Sequence, residues 1–322
     1  MSAVNGRSLS DRSAELVAWI VTALVGLLVL TQAVGLDGSR LVATVQALTP
    51  YFVAVVALPA VVALWRGWQA VGVTSSLVGL GLIVLGIPMV APPGQPRPVD
   101  DATPVRIGAA NLLYLNDRTD EVADALGDLD LDVVVLSEFT AEHLTVLDAD
   151  PLASSFPFRE ERPGLDAGGV AVWSRFPVVV NEAPDTVNYT LDVEIDGPDG
   201  AFRVLAVHPP TPVYDFDGWT RDLALIGDVA RADDVPTLVV GDFNASYWHP
   251  AFRDLLATGL VDAHMAAGRG FSTSWPTDRD VPPFVRLDHA LTDSGLVSTA
   301  VEDFDIPGSD HAGLVVSVVP AR

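Results

Sequence analysis

Three long apolar runs open the chain. Leu16–Leu36, Leu41–Leu64 and Gln69–Ala91 hold 21, 24 and 23 residues without a charged side chain. As helices they would extend roughly 31–36 Å, enough to cross a hydrocarbon core of about 30 Å. A secretory signal has a shorter apolar region followed by a small-residue cleavage site, which does not follow the first run. Only Asp37–Arg40 and Trp65–Trp68 separate the runs, so residues 1–91 are expected to form three membrane helices. Pro50 and Pro59 are expected to kink the second, and Trp65 and Trp68 to sit at the interface. With the N-terminus inside, Arg7, Arg12 and Arg66 face the cytoplasm, and Arg40 and Arg97 face outward. That excess of one arginine favours a multi-pass cell-membrane protein whose C-terminal part is extracytoplasmic.

Residues 92–104 contain five prolines and read as a semi-rigid linker. From Val105 the period changes. Short β-type runs predict strands at Val105–Ala110, Asp132–Ser137, Gly168–Trp173, Tyr189–Ile195, Phe202–Val207, Thr237–Val240, Leu287–Leu291 and Leu314–Val319. Glu121–Leu129, Trp219–Ala232 and Ala251–Ala257 read as helices, and Gly197–Gly200 as a hairpin turn. Hairpins mixed with helix-linked strands predict an α/β (α+β) sandwich of mixed sheets over 105–322, long enough for one large core.

Composition divides the chain in the same place. Residues 1–99 carry five arginines against three acids, whereas 100–322 carry 13 against 39. The chain has no lysine and no cysteine, which excludes disulfides, a thiolate nucleophile and a zinc–thiolate site. So dense a carboxylate surface suits a protein that must stay hydrated in high salt, and it counts against a polyanionic partner at low salt.

Polar residues recur where the apolar strands end. Asn111 follows IGAA, Glu138 follows VVVLS, His208 follows VLAV, and Asp242 and Asn244 follow VVG. Asp288 and His289 lie in VRLDHAL, and Asp310 and His311 in PGSDHAG. Each alone is commonly a turn former, a helix cap or a hydrogen-bonded core residue. Together they have the residue types that phosphoester hydrolysis needs. Carboxylate and carbonyl oxygens suit a hard divalent cation, and a His–Asp pair gives an oriented imidazole.

GDFN (241–244), SDH (309–311), the early NLL (111–113), the Glu ending the next strand, GGVAVWSRFP (168–177) and FSTSWP (271–276) together resemble the endonuclease/exonuclease/phosphatase family. The resemblance covers about Val105–Val319. It implies a four-layer sandwich of two mixed β-sheets flanked by helices, using Mg2+ or Mn2+. It further implies that Glu138 is the principal metal ligand, assisted by Asn111 and Asp310. Asp242 would activate or position the attacking water, while Asn244 and Asn111 hold phosphate oxygens. His311, paired with Asp288, would be general base or charge stabiliser, and His208 would bind phosphate or protonate the leaving group. Ser137 stands where the family often has Gln, and Leu113 where abasic-site endonucleases have an acid. His289 reads as support or core, and His143, His249 and His264 as structural or solvated.

The expected activity is hydrolysis of a phosphodiester, nuclease-like, by a membrane-anchored enzyme. A phospholipid head group or inositol phosphate is the alternative substrate, and a catalytically silent membrane scaffold or receptor the alternative class. The bilayer is the expected partner of the three helices, and the sequence identifies no protein partner.

Overall fold

The computed structural model describes residues 9–91, 94–232 and 234–322, so Arg7 and the linker's Pro92 and Pro93 lie outside the described residues. The chain divides into two compact units, Met1–Pro88 and Met89–Arg322.

The N-terminal helices are α1 (Leu9–Ala33), α2 (Arg40–Ala47), α3 (Phe52–Trp65) and α4 (Gln69–Val90). By length and composition α1 and α4 are long and apolar enough to cross a membrane. A third span exists only if α2 and the Thr49–Trp65 segment count as one, bent by 56°. The bend falls where Pro50 removes a backbone donor and the chain tightens into a 3-10 turn at Thr49–Tyr51. The first helix starts before its apolar run, and Asp11 in its first turn meets Arg66 at 2.6 Å. Inside the unit the Thr22 and Ser75 hydroxyls lie 2.6 Å apart, so each polar group is satisfied away from the outer surface. Trp65 is 80% exposed, as an interfacial anchor would be, but Trp68 is 4% exposed and packs with Ala18, Ala63 and Val71.

In chain order the second unit runs β1 (Val105–Asn111), α5 (Thr119–Gly127), β2 (Val133–Ser137), α6 (Ala141–Ala149), β3 (Phe158–Arg162), β4 (Val170–Ser174), β5 (Val178–Val180), β6 (Leu191–Gly197) and β7 (Gly200–Val207). It continues with α7 (Phe216–Ala230), β8 (Thr237–Asp242), α8 (Pro250–Ala257), β9 (Val261–Asp262), α9 (Ala263–Ala266), β10 (Asp288–Thr292), β11 (Leu296–Asp305) and β12 (Ala312–Pro320). Two six-stranded mixed sheets result, ordered β11-β12-β1-β2-β4-β3 and β5-β6-β7-β8-β10-β9.

Three apolar clusters make the layers. Ile107, Val133 and Val172 of one sheet meet Val193, Val204 and Leu238 of the other between the sheets. Leu126 and Leu147 seal α5 and α6 onto the outside of the first sheet, and Trp219 and Phe252 seal α7 and α8 onto the second. The fold is the four-layer α/β sandwich.

Several elements carry no clear sequence signal. Strand β3 reads FREER and is only partly buried at an edge, so its polar pattern hides it. The long β11 is also an edge strand, and a register shift between Ser298 and Ala300 breaks its alternation. The residues after Gly94 lie along the end of this sheet. Val99 N donates to Pro320 O at 2.9 Å, and the Gln95 amide bonds the Ser298 backbone in both directions.

Candidate active site

Strand direction collects the polar residues. In each sheet one central pair is parallel, β1 with β2 and β7 with β8. Asn111, Glu138, His208 and Asp242 therefore stand at or just past C-terminal strand ends. Strand β10 runs antiparallel to β8, and β12 antiparallel to β1, so Asp288 and His311 reach the same edge from N-terminal ends. Open α/β sheets place ligands at this edge, outside the carboxyl ends of parallel strands.

The backbone is held in unusual conformations here. Leu113, Glu138 and Asn244 have φ of 59°, 54° and 47°, the left-handed region, without being glycine. Such strain persists where the surroundings over-determine it, often at functional sites. Gly241 is required where it stands. Its φ is 143°, and a Cβ would lie 2.2 Å from Val207 O on β7.

Asn111 joins the sheets. Its Nδ2 donates to Glu138 Oε1 at 3.0 Å and to Asp242 Oδ2 at 2.9 Å, while its Oδ1 accepts from Leu113 N at 3.0 Å. Glu138 Oε2 accepts from Tyr114 N at 2.9 Å. Asp242 Oδ1 accepts from Asn244 N at 2.7 Å, and Asn244 Nδ2 donates to Pro209 O at 3.1 Å. His311 Nδ1 lies 2.9 Å from Asp288 Oδ2, leaving Nε2 3.7 Å from Asp242 Oδ2 and 4.0 Å from Asp310 Oδ1. His208 Nε2 approaches the same Asp242 oxygen at 3.7 Å. His208 Nδ1 is buried without a hydrogen-bond partner. All eight sequence-predicted site residues are thus at one edge, and contacts of 4.0 Å or less connect them.

Charge in this cluster is unevenly shared. Burial raises the Asp242 carboxyl above its ordinary value, and the neighbouring Asp288 charge adds to that, against opposing pulls from His311 and His208. Burial would raise Asp288 too, but the His311 charge, their hydrogen bond, the Ser274 hydroxyl and Arg286 together hold it down. Burial would lower His311, and the Asp288 and Asp242 carboxylates overcome this to push it up to about 10.

Asp242, Asp288 and His311 present ligand-type atoms within 4.8 Å of one another. That trio is internally paired, however, with a charged imidazole facing both carboxylates, and an imidazolium offers no lone pair. Glu138 is the better donor for a hard cation. Its carboxylate is half-buried at the rim, oriented by two neutral N–H donors rather than by a cation, and the Asp310 carboxylate belongs to the same edge. Asn111 faces both Glu138 and Asp242 with its amide nitrogen. The donor set fits Mg2+ or Mn2+, which bind one or two carboxylates plus water and substrate oxygens.

Residues not singled out by the sequence support the cluster. Ser274 Oγ accepts from Leu287 N at 3.0 Å, Trp275 Nε1 donates to Asp310 Oδ2 at 2.9 Å, and Ser309 Oγ donates to Asn111 O at 2.7 Å. The FSTSWP segment was visible, but its individual roles depend on where the loop returns. His143, His249 and His264 are all buried, so none is solvated. His143 completes a capping box at the start of α6, His249 Nδ1 accepts from Ser246 N, and His264 pairs with Asp303.

Comparison with known proteins bears on the family and the fold. The Endonuclease/Exonuclease/phosphatase family profile matches residues 107–311. No curated protein matches the sequence. Among solved structures, zebrafish (D. rerio) TDP2 humanized by 14 mutations superposes with a TM-score of 0.57 at 16% identity, covering 67% of this chain and 98% of that one. D. rerio TDP2 complexed with single-strand DNA product gives the same score and identity, covering 67% and 99%. An endonuclease/exonuclease/phosphatase from Beutenbergia cavernae gives 0.50 at 20% identity, covering 68% and 72%. At these identities the likeness speaks for the fold. The sequence match is what decides membership, because it spans more than half of the 322 residues and runs from the first strand to His311: the chain belongs to the endonuclease/exonuclease/phosphatase family.

Proposed function

We propose that the protein is a membrane-anchored, divalent-metal-dependent phosphoesterase that hydrolyses a phosphodiester by in-line attack of water. The observation that carries this reading is the joined set Glu138–Asn111–Asp242–His311–Asp288, drawn from both sheets into one hydrogen-bonded edge. Glu138, with Asp310 at the same edge, would hold Mg2+ or Mn2+, which would supply Lewis-acid polarisation of the phosphate and a stabilised leaving oxygen. The Asn111 amide nitrogen orients the Glu138 carboxylate rather than serving as a ligand itself. Asp242 orients the attacking water and accepts its proton. Asn244 holds a phosphate oxygen beside it. His311, fixed in orientation by Asp288, neutralises charge that builds on the phosphate. His208, whose Nε2 approaches the same Asp242 oxygen at 3.7 Å, serves phosphate or leaving group.

The full chain in detergent should cleave bis(p-nitrophenyl) phosphate with Mg2+ or Mn2+ and lose activity with EDTA. Glu138→Ala should lose it by a factor on the order of 100 or more. Turnover indifferent to chelator and to this substitution would overturn the metal assignment.

For the substrate, the complex of D. rerio TDP2 with single-strand DNA product supports a nucleic acid. A second reading, a phosphoester carrying an apolar group such as a phospholipid, has its own support. Of 14 exposed large hydrophobics from Val99 onward, nine lie on loops at the catalytic edge, among them Leu115, Leu165, Tyr189, Tyr214, Phe271 and Val281. The arginines on or flanking those loops, Arg118, Arg162, Arg269 and Arg279, are each engaged by an acid. A polyanion wants free cations there; an amphiphile does not. Parallel assays on single-stranded DNA and on phospholipid vesicles separate the two. The apolar helices favour a multi-pass membrane location, with the catalytic unit extracytoplasmic by the arginine count. Protease protection of sealed vesicles tests the side.

A further inference from the structure

One buried ionic group is not used by the chemistry above. His289 is the second residue of β10, directly after Asp288, and is 3% exposed. Successive strand residues face opposite sides, so Asp288 meets His311 while His289 lies on the outer face, 5.7 Å from the Phe243 ring and 4.4 Å from Phe252. Its Nδ1 is 2.7 Å from Asp262 Oδ2, and its Nε2 is 3.0 Å from Ala245 O.

Both nitrogens therefore face acceptors. A carbonyl oxygen can only accept, so Nε2 carries a hydrogen. Asp262 faces Nδ1 with one oxygen while its other oxygen accepts from Met265 N at 2.8 Å, so the ring is clamped between a carboxylate and a backbone carbonyl. The ring's other neighbours given above are aromatic. Ala245 closes the turn that begins at Asp242. That turn includes Asn244 in the left-handed region, and the bonds that hold it include Asn111 Nδ2 to Asp242 Oδ2, Phe243 N to Leu287 O, Asn244 N to Asp242 Oδ1, Asn244 Nδ2 to Pro209 O, Trp219 Nε1 to Phe243 O, and His289 to Ala245 O.

We propose that His289, held between the Asp262 carboxylate and the Ala245 carbonyl, is a positioning residue that fixes the Asp242–Asn244 turn from behind. A single strand then sets both halves of the site: Asp288 orients His311 on one face, and His289 orients the water- and phosphate-handling turn on the other. The inference rests on the reading of Asp242 and Asn244 as acting on the phosphoester.

The test uses the full chain in detergent micelles with 15N-labelled histidine and labelled backbone amides. Among the six histidine rings, the one that disappears in His289→Gln should carry a hydrogen on Nε2, the nitrogen facing Ala245 O; a bare Nε2 overturns the proposal. Amide exchange at Asn244 should accelerate about tenfold or more in His289→Gln while Val239 and Val240 stay protected. An unchanged Asn244 overturns it, whether or not the protein turns over any phosphoester, so this outcome is independent of the functional reading. In the metal-loaded enzyme kcat should fall about 10–100-fold with little change in KM. A fall in stability with kcat intact assigns His289 to the core alone and overturns it. The double variant Asp262→Asn with His289→Gln restores a neutral amide pair that can still donate to Ala245 O. It should recover kcat and Asn244 protection relative to His289→Gln alone.

Discussion

At the scale of single residues, the site depends on groups that touch each other rather than on isolated side chains. Asn111 is the clearest case, since one amide nitrogen ties Glu138 of the first sheet to Asp242 of the second. Gly241 is another. Gly241→Ala puts a Cβ against Val207 O in a conformation alanine rarely adopts, and should cost roughly 2–4 kcal/mol, read as a lower unfolding temperature and lost activity together. Asp262 gives a pH prediction with a definite sign. Its folded pKa is lowered from 3.8 to about 2 by His289 against the opposing effect of burial. A depressed carboxylate contributes stability above its unfolded pKa and loses it as pH falls through the folded one, here from about pH 4 to about pH 2. Asp262→Asn should therefore lower stability at pH 7 by about 2 kcal/mol, with the gap to the parent closing below pH 4 in thermal melts. These residues were legible to different degrees. Asp242 and His311 stand in the recognisable GDFN and SDH strings. Asp262 stands in GLVDAHM, which carries no signal until β9 is seen to pair with β10.

At the scale of elements, apolar runs predicted the central strands well because both of their faces are covered. Edge strands were harder. Strand β3 is only partly buried along its whole length, and β11 mixes core residues such as Leu296 and Val301 with exposed polar ones, so neither leaves an unbroken apolar run. The β6–β7 hairpin combines both behaviours, with its GPDG turn plain in the sequence and a buried ion pair that was not. Arg203 donates to Asp192 from Nε at 2.8 Å and reaches Val229 O at 3.1 Å, linking this hairpin to α7. Arg203→Leu leaves Asp192 charged and 1% exposed, and should cost about 3–5 kcal/mol in denaturant melts. Replacing both residues with leucine should recover most of that loss, because the uncompensated carboxylate is then gone.

At the scale of the whole molecule, the net charge of −24 comes from residues 100–322, with 13 arginines against 39 acids, and residues 1–99 are slightly positive. Self-repulsion and repulsion of a polyanion both weaken as salt shortens the screening length to about 8–10 Å. The KM for a single-stranded oligonucleotide should therefore fall as NaCl rises from about 10 to about 150 mM, opposite to the slope of a basic nuclease. Stopped-time cleavage assays across that range check it. The sequence by itself determined the division into an apolar and an acidic part, because hydropathy and charge are local sums along the chain. It also determined the family and the strand-end residues, because a strand that ends in a fixed functional group leaves a short contiguous string. Only the tertiary structure decided which of these residues touch, that Asn111 bridges the sheets, that Asp242 is the carboxyl raised by burial while Asp288 is held down, and that His289 braces the GDFN turn. Those are properties of distance and desolvation between segments as far as 131 residues apart, and no local pattern encodes them.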